Sequence, residues 1–292
     1  MPGDFSLART CAPAAWAGGR WPNEDWIDGA FWWTGHDSGA HHWRTVRAVP
    51  GGIEVQGSGD ETIVPAWAMR VLSPRSTPFA GSDPVVSAIE AALPGTGSLN
   101  NGDMADGMMF SIIGQSVSLA SVGVTATRFA ARFHEGFRLA GRTLWPLPTP
   151  EQVADSQWEA IQPCGVTGKR AQALVSAATL FARGDLPRDP AQFTSEHAAA
   201  LLGVSGIGPW TVASTLLWGG GDPDVYPPGD AALLRAARTA YGEPDLDYRS
   251  LEIRSTAWGP ERAVAARLLW TNLFGHPEDR FTESRPPRKA LA

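Results

Sequence analysis

The residues best suited to chemistry lie in one stretch of the 292-residue chain, between positions 201 and 235. The run Val204-Ser205-Gly206-Ile207-Gly208 separates two apolar segments and is short and glycine-rich enough to be a hairpin turn. We expect Gly206 and Gly208 to adopt positive φ and to let another backbone approach closely. Pro209 fits the first position of the next helix, whose unpaired N–H groups and positive dipole end would suit a phosphate. An ordinary corner between two helices is the competing interpretation.

One acidic residue follows the hairpin at a position that could serve two purposes. The run from Gly219 to Asp224 holds three glycines and a proline, and we expect it to end the helix. Asp230 comes twenty positions after Trp210 and directly before the helix-forming run Ala231-Ala232-Leu233-Leu234-Arg235. An aspartate there is a good N-cap, and for an isolated aspartate the cap alone would be the favoured interpretation.

Hairpin, Gly/Pro loop and Asp230 together resemble the helix-hairpin-helix/Gly-Pro-Asp superfamily of DNA glycosylases, and within it the 3-methyladenine DNA glycosylase II (AlkA) type. The similarity covers most of residues 83–276 and rests on blocks at 110–118, 165–174, 206–213 and 258–262, the last leading to Trp270. It implies a mainly α-helical helix-hairpin-helix glycosylase fold with an N-terminal antiparallel β-containing (α+β) domain.

The resemblance also implies which residues form the site. It makes Asp230 the catalytic carboxylate, and no catalytic metal or cofactor is required. The base pocket would contain Trp210, Trp270, Gln115 and Ser116, with Ser116 at the position that fills the gap left by a flipped base. The DNA backbone would contact Val204, Ser205, Gly206, Gly208 and Thr211. A structural Na⁺ or K⁺ is expected on the backbone carbonyls of Leu202, Val204 and Gly206.

The chemistry that follows is base excision without strand cleavage. Loss of a base leaves a sugar with oxocarbenium character, which a fixed carboxylate stabilises most in the transition state. An alkylated base that already carries positive charge needs no acid and is attracted to aromatic faces. Bifunctional relatives attack the sugar with a hairpin lysine, whereas this chain has Trp210 there. Its only lysines, Lys169 and Lys289, lie elsewhere, so we expect a monofunctional enzyme.

Composition excludes several other classes of protein. The chain is 43% hydrophobic and 18% charged, which is sufficient for a sizeable core. Two cysteines suit neither a disulfide framework nor a cysteine zinc site. No leader or membrane-spanning run is apparent, so we expect a soluble cytoplasmic protein, associated with the nucleoid if bacterial, and a monomer. A net charge of −6 argues weakly against general coating of nucleic acid, but it allows a local basic face.

Three regions are expected along the chain. Residues 1–80 have partial period-two alternation and a turn at Pro50-Gly51-Gly52, which predicts a small antiparallel sheet with one helix. Residues 81–276 are helical and form the glycosylase domain, and residues 277–292 form a polar tail. The histidines at positions 36, 41 and 42 fit no metal-ligand pattern and are interpreted as strand and loop residues.

Two alternatives remain for the function. The first is a glycosylase of the same fold that acts on oxidised or deaminated bases, because pocket selectivity depends on side-chain positions that no pattern gives. The second is a catalytically silent DNA-binding module that keeps only the hairpin. For Trp270 a core position is as plausible as a pocket position, and for Trp218 the core is favoured, with Tyr226 a weaker pocket candidate. Double-stranded DNA with damaged bases is the expected partner.

Overall fold

The computed structural model describes residues 1, 4–16, 21–37 and 40–277, so the predicted tail lies almost entirely outside the described residues. Its N-terminal part is an antiparallel sheet of four strands in the order β1-β2-β3-β4. The strands are β1 (Glu24–Ile27), β2 (Ala30–Asp37), β3 (Ala40–Val49) and β4 (Gly52–Gly57). The β3–β4 hairpin turns where predicted, with Gly51 at φ +84°. Strand β1 was not predicted, because its four residues show little alternation.

One face of this sheet is covered by helices. The N-terminal part contains α1 (Leu7–Thr10), α2 (Ala12–Ala15) and α3 (Val64–Leu72), so it has two short helices beyond the single one predicted. Trp67 and Leu72 of α3 pack against Phe31, Trp33 and Val46 of the sheet. This core is predominantly aromatic and aliphatic, and its burial holds the sheet to α3.

The rest of the chain is helical, as predicted. The helices are α4 (Pro84–Ala92), α5 (Met104–Gly114), α6 (Leu119–Phe133), α7 (Pro150–Ala154), α8 (Gly168–Ala182), α9 (Ser195–Leu202), α10 (Pro209–Thr215), α11 (Ala231–Tyr241), α12 (Tyr248–Arg254) and α13 (Arg262–Phe274). A short two-stranded hairpin, β5 (Phe137–Leu139) and β6 (Arg142–Leu144), interrupts them and was not predicted.

Side-chain caps explain why most of these helices begin where they do. An oxygen of the capping residue accepts a hydrogen bond from a backbone N–H of the first turn, which satisfies a donor with no partner inside the helix. The caps of α4, α5, α6, α7, α9, α11 and α12 are Asp83, Asp103, Ser118, Thr149, Thr194, Asp230 and Asp247. The helices α8 and α10 have no such side-chain bond.

The end of α10 differs from the sequence-based expectation. Instead of stopping before Gly219, the helix continues as a π-turn over Leu216–Gly220 and ends at Gly221, which has φ +67°. The π-turn packs closely on Gly107 of α5: a Cβ added to Gly107 would lie 2.5 Å from the Cα of Gly219. Close contact with α5 therefore stabilises a helical turn that the local propensity of glycine disfavours.

The helical part contains two apolar cores, and the predicted site lies where they meet. One core is built from α5, α6, α8 and the hairpin, and includes Ile112, Phe129 and Leu174. The other is built from α4, α11 and α13, and includes Leu233 and Leu269. Helix α10 packs on α5 in the first core, whereas α11 belongs to the second. Across the described part of the chain, no helix combines the length and apolar character of a membrane span.

Candidate active site and DNA interface

The hairpin between α9 and α10 forms as predicted, but its two glycines differ. Gly206 has φ +88°, and a Cβ there would lie 3.3 Å from the Cβ of Ala173 in α8. Gly208 has φ −114° and ψ 177°, so the prediction of positive φ was wrong for this residue. The reason is Pro209, whose ring pushes the preceding residue into the extended region. Of the two glycines, only Gly206 has the positive φ that favours glycine in this turn.

Gly208 lies at an open surface. A Cβ built on it would have no heavy atom within 4 Å, and its extended backbone would accept any residue. Neither the conformation nor the packing of this chain therefore requires glycine here. A side chain at this position would stand over the start of α10 and hinder a ligand from approaching the amides of its first turn.

The predicted DNA-contacting residues of the hairpin are not equally accessible. Ser205 and Gly206 are exposed, and Val204 and Gly208 are half-buried. Thr211 is 2% exposed and its hydroxyl accepts the Gln115 amide, so a contact between Thr211 and DNA would use its backbone N–H.

Gln115 ties the end of α5 to the hairpin. Its side-chain amide donates to the carbonyl oxygen of Gly206 and to Oγ1 of Thr211, each at 2.9 Å. Both amide hydrogens are thus used inside the protein, which leaves Oε1 as the free polar atom of this predicted pocket residue. Ser116 follows with φ +54° and is exposed, so the loop between α5 and α6 turns sharply beside the hairpin.

Asp230 is an N-cap and also faces across the boundary between the two cores. Its Oδ1 accepts a hydrogen bond from the backbone N–H of Leu233 at 2.7 Å, which begins α11. Its Oδ2 accepts a hydrogen bond from Nε1–H of Trp210 in α10, at 2.9 Å. Burial raises the pKa of Asp230, while the amides of Leu233 and Ala232 and the Trp210 indole favour the charged form. The cap and functional interpretations are therefore compatible.

Trp210 positions this carboxylate. It occupies the first turn of α10, is half-buried, and lies against Gly114 at the end of α5. A Cβ on Gly114 would be 3.7 Å from the ring. The indole is thus held between α5 and Asp230, with its N–H directed at the acid.

Trp270 has a different environment. It is 4% exposed and stacks on Trp218, with ring centroids 5.6 Å apart and planes inclined by 21°. Trp218 in turn meets the edge of Trp16 at 6.4 Å. Within the described residues, Trp270 Nε1 is buried without a hydrogen-bond partner. The structure therefore places Trp270 in the second core, with one indole face covered by Trp218, and its pocket role stays a prediction.

Behind this aromatic stack lies a buried arginine that the sequence did not reveal. Arg267 of α13 is buried, donates to the carbonyl oxygens of Leu99 and Leu217, and lies 4.4 Å from the Trp218 ring centroid. Burial lowers the pKa of Arg267 to about 9, an effect that Glu24 opposes. Burial, with a contribution from Asp25, raises the pKa of Glu24 to about 8. No sequence pattern around Arg267 predicted that this arginine would be buried.

Two of the carbonyl oxygens predicted to bind a monovalent cation accept hydrogen bonds within the protein. The Val204 carbonyl accepts the N–H of Ile207 at 3.0 Å, and the Gly206 carbonyl accepts the Gln115 amide. Each of these oxygens keeps a second lone pair, and oxygen is the ligand that such cations prefer. A third carbonyl, that of Leu202, completes the expected set. Among residues 4–16, 21–37 and 40–277, no group of three or more His, Cys, Asp or Glu residues could hold a metal ion.

The histidines of the sheet lie in strands at its boundary with the helical part. His36 in β2 contacts His41 in β3, with ring centroids 4.3 Å apart, and His41 contacts His134 at 4.7 Å. His36 Nε2 is 2.7 Å from the carbonyl oxygen of Leu147. Burial and the neighbouring His41 lower the pKa of His36 to about 4, so it is neutral at physiological pH. These rings join the sheet to the segment after β6.

Known proteins similar in sequence are named as a DNA repair enzyme and as DNA-3-methyladenine glycosylases. The probable bifunctional transcriptional activator/DNA repair enzyme AlkA of Mycobacterium tuberculosis is 28% identical over 215 residues, which are 73% of this chain and 41% of that protein. A DNA-3-methyladenine glycosylase of Bacillus subtilis is 25% identical over 206 residues, 68% of this chain and 67% of that protein. The match thus spans less than half of the mycobacterial protein. No protein-family model matches the chain.

Solved structures share the fold over nearly the whole chain. The 3-methyladenine DNA glycosylase of Archaeoglobus fulgidus has a TM-score of 0.78 at 18% identity, covering 94% of this chain and 97% of that one. The 8-oxoguanine glycosylase/lyase of Clostridium acetobutylicum has a TM-score of 0.69 at 14% identity, covering 91% and 92%. The predicted fold and resemblance are confirmed: the chain has the helix-hairpin-helix DNA glycosylase fold, and its sequence relatives include AlkA and DNA-3-methyladenine glycosylases.

Proposed function

We propose that this protein is a DNA glycosylase that excises alkylated bases from duplex DNA in base-excision repair. The observation that carries the proposal is the placement of Asp230, a carboxylate held at the boundary of two cores by the Trp210 indole. The phosphate-suited hairpin ends where α10, the short helix that carries Trp210, begins. The names of the sequence relatives support this reading.

The first step is extrusion of the damaged nucleotide. Rotating a base out of the duplex costs a few kcal/mol. Contacts from the backbone N–H groups of the hairpin and the start of α10 to phosphate oxygens offset part of this cost and carry no sequence information. Gln115 hydrogen-bonds the end of α5 to the hairpin. The hairpin that contacts the DNA backbone is therefore joined to the loop between α5 and α6.

The second step is cleavage of the glycosidic bond. As the base departs, positive charge develops on the sugar, and the Asp230 carboxylate stabilises it. At an effective dielectric constant near 20, opposite charges about 4 Å apart attract by roughly 4 kcal/mol. The Trp210 indole holds Oδ2 in place and, with the amides at the start of α11, favours the ionised form of the acid against the effect of burial on its pKa. We propose that Asp230 also orients the attacking water.

Base recognition would use aromatic surface. A cationic alkylated base gains about 0.5–2 kcal/mol from contact with an indole face. Trp210 is half-buried and adjoins Asp230, so it is the stronger candidate for direct contact. Trp270 would form the wall behind it, supported by its stack on Trp218.

The experiment that tests this function is a release assay on duplexes that each carry one defined lesion. We expect release from DNA with N-alkylated purines. Release confined to oxidised or deaminated bases would favour a glycosylase of the same fold with that specificity. The fold likeness to an 8-oxoguanine glycosylase/lyase is the observation that supports this second candidate. Tight binding without release of any base would leave only the silent DNA-binding module.

We further propose that the enzyme is monofunctional. A lyase step needs an unprotonated amine that reaches the sugar C1′ and forms a Schiff base, which Trp210 cannot provide. Lys169 lies in the first turn of α8 rather than in a loop, and it is exposed, while Lys289 lies outside the described residues. The product should be an intact strand with an abasic site, and borohydride should trap no covalent adduct. An adduct that Lys169→Gln abolishes would make Lys169 a nucleophile and overturn this assignment.

The carbonyls of Leu202, Val204 and Gly206 are proposed to hold Na⁺ or K⁺. Such an ion would add positive charge between the hairpin and a DNA phosphate. Replacing K⁺ by a large organic cation at constant ionic strength should then weaken DNA binding. Equal affinity in both salts would remove the ion from the account. We expect the protein to act as a monomer, which sedimentation of the free protein would test.

A further inference from the structure

A second basic surface adjoins the hairpin on the side of α8. Gly206 lies against the first turns of α8: its added Cβ would be 3.3 Å from the Ala173 Cβ and 3.7 Å from the Lys169 carbonyl oxygen. Lys169 is exposed and Arg170 is half-buried. The start of α8 therefore continues the surface of the hairpin without a gap.

The same surface extends to α6 through the turn that precedes α8. Gly165 has φ +99°, and a Cβ added to it would lie 4.0 Å from a terminal guanidinium nitrogen of Arg128. Arg132 lies one helical turn further along α6. Both arginines are exposed, and both act on the buried thiol of Cys164 by lowering its pKa against the larger effect of burial. They therefore lie on one side of the 164–165 turn.

These four cations have no partner inside the described part of the protein. Neither Arg128, Arg132, Lys169 nor Arg170 forms a hydrogen bond through its side chain or an ion pair with another described residue. Other arginines do have partners: Arg188 pairs with Asp103, and Arg262 with Asp224. In a chain of net charge −6, four unpaired cations on one contiguous surface are a local departure from the overall acidity.

We infer that this surface, formed by Arg128, Arg132, Lys169 and Arg170, is a second contact for the DNA phosphate backbone. The inference rests on the proposed glycosylase function, which brings duplex DNA to the hairpin. Contacts lead from Asp230 through Trp210 and the hairpin to α8, and Gly165 in the turn before α8 lies near Arg128, so the inferred path of the DNA runs past the hairpin onto this surface. Duplex DNA carries about one negative charge per 1.7 Å of its axis, so a strand leaving the hairpin over this surface presents phosphates to it.

Salt dependence of binding tests the inference. Each cation–phosphate contact contributes about 0.9 to the slope of log K against log salt. We expect the double variant Arg128→Gln/Arg132→Gln to reduce the slope for undamaged duplex by about 1.8 and the affinity at ~0.15 M salt by about tenfold. The double variant Lys169→Gln/Arg170→Gln should act in the same direction, which guards against a fault particular to α6.

The matched control removes the same charge elsewhere. Arg183 lies at the opposite end of α8, and Arg249 lies on α12; both are exposed. The double variant Arg183→Gln/Arg249→Gln should leave the slope unchanged. An equal loss of slope in this control would show a general effect of net charge and overturn the inference. The inference would also be overturned if both test variants melted like the wild type and kept its slope.

Duplex length locates the contact. Shortening the DNA stepwise on each side of the lesion should, on one side only, abolish the difference between wild type and the α6 variant. A difference that persists in the shortest duplex would contradict a contact beyond the hairpin. Because undamaged DNA is used for the slope, failure of base release would refute the proposed function without affecting this result.

Discussion

Two aspartates in this protein cap helices in the same way, yet they have different surroundings. Asp83 begins α4 with Oδ1 accepting the amides of Val85 and Val86. Asp230 begins α11 with Oδ1 accepting the amide of Leu233. Each also accepts an indole N–H on Oδ2, Asp83 from Trp258 at 3.3 Å and Asp230 from Trp210 at 2.9 Å. Residue type, position at the start of a helix and an indole donor thus fail to distinguish them.

The difference lies in what else surrounds each acid. Asp83 is 5% exposed, and its Oδ2 also accepts the hydroxyl of Tyr241 at 2.8 Å, so its oxygens are fully used inside the second core. Asp230 is half-buried, and it accepts from Trp210 of α10, which packs on α5 of the first core, and from backbone amides of α11 in the second core. A carboxylate with spare capacity at a boundary can act on a ligand, whereas a saturated one only stabilises the fold.

The sharpest way to test this comparison is to change Asp230 alone. Asp230→Asn should slow base release by at least about 100-fold, because it removes the charge that faces the oxocarbenium. Affinity for lesion DNA should stay within about tenfold, since the hairpin is intact. Single-turnover kinetics and equilibrium binding measure the two effects.

Stability should change little in this variant. Asparagine caps helices as well as aspartate does. The raised pKa means that folding disfavours the charged form, so above that pKa the charge of Asp230 lowers stability, and its removal offsets the lost acceptor of Trp210. A large drop in melting temperature with an unchanged release rate would make Asp230 a cap only.

The second prediction applies the same substitution to the other cap. Asp83→Asn should destabilise the protein by about 1–3 kcal/mol, because an amide cannot accept from both Tyr241 and Trp258 while capping α4. Release by the folded fraction should remain within about threefold of wild type. Urea unfolding and the release assay under folding conditions give the two numbers. Loss of release without loss of stability would contradict the contrast between the aspartates.

The hairpin glycines offer a parallel contrast. Gly208→Val should leave stability unchanged, because the backbone is extended and the added Cβ has open space. The same variant should weaken binding to all DNA sequences by about tenfold, because the new side chain hinders the phosphate contact at the start of α10. Gly206→Val should destabilise the protein, by more than about 1 kcal/mol, since φ is +88° and Ala173 is close. Binding loss for Gly208→Val that is confined to damaged DNA would contradict a phosphate contact.

The smallest effects should come from the indole donors. Trp210→Phe removes a hydrogen bond that favours the charged form of Asp230, so the pKa of Asp230 should rise further. Release near neutral pH should fall by about fivefold, the kinetic equivalent of one hydrogen bond of about 1 kcal/mol. Trp258→Phe is the control: it should lower stability and leave the pH dependence of release unchanged. Indistinguishable pH profiles for Trp210→Phe and wild type would remove the positioning role.

Much of this arrangement could be predicted from the sequence because it depends on local chemistry. The hairpin, the capped start of α11 and the bounds of α9 follow from glycine, proline and capping residues. The helical segment 81–276 follows from periodicity in the same way. The division at residue 80 remains a prediction, because α3 and Leu99 share a core with the sheet.

What could not be predicted depends on contacts between distant segments. The extended Gly208 follows from Pro209 and could have been anticipated, but the π-turn over Leu216–Gly220 exists only because α5 packs closely against it. The stack of Trp270 on Trp218 and the buried Arg267 join α13 to segments 50 or more residues away. No local pattern distinguishes Asp230 from Asp83, since the number of donors on each oxygen is set by tertiary structure.

The central claim, that the ionised carboxylate of Asp230 drives base release, is tested most directly by the pH dependence of single-turnover release of a cationic alkylated base. Such a base needs no protonation, so a loss of rate at low pH reports protonation of the enzyme. For the wild type we predict a plateau near neutrality and a fall as pH drops through the Asp230 pKa, at a higher pH than for an ordinary aspartate. Asp230→Asn should be slow at every pH and lack this fall. A variant that keeps both the wild-type rate and its acid limb would contradict the account.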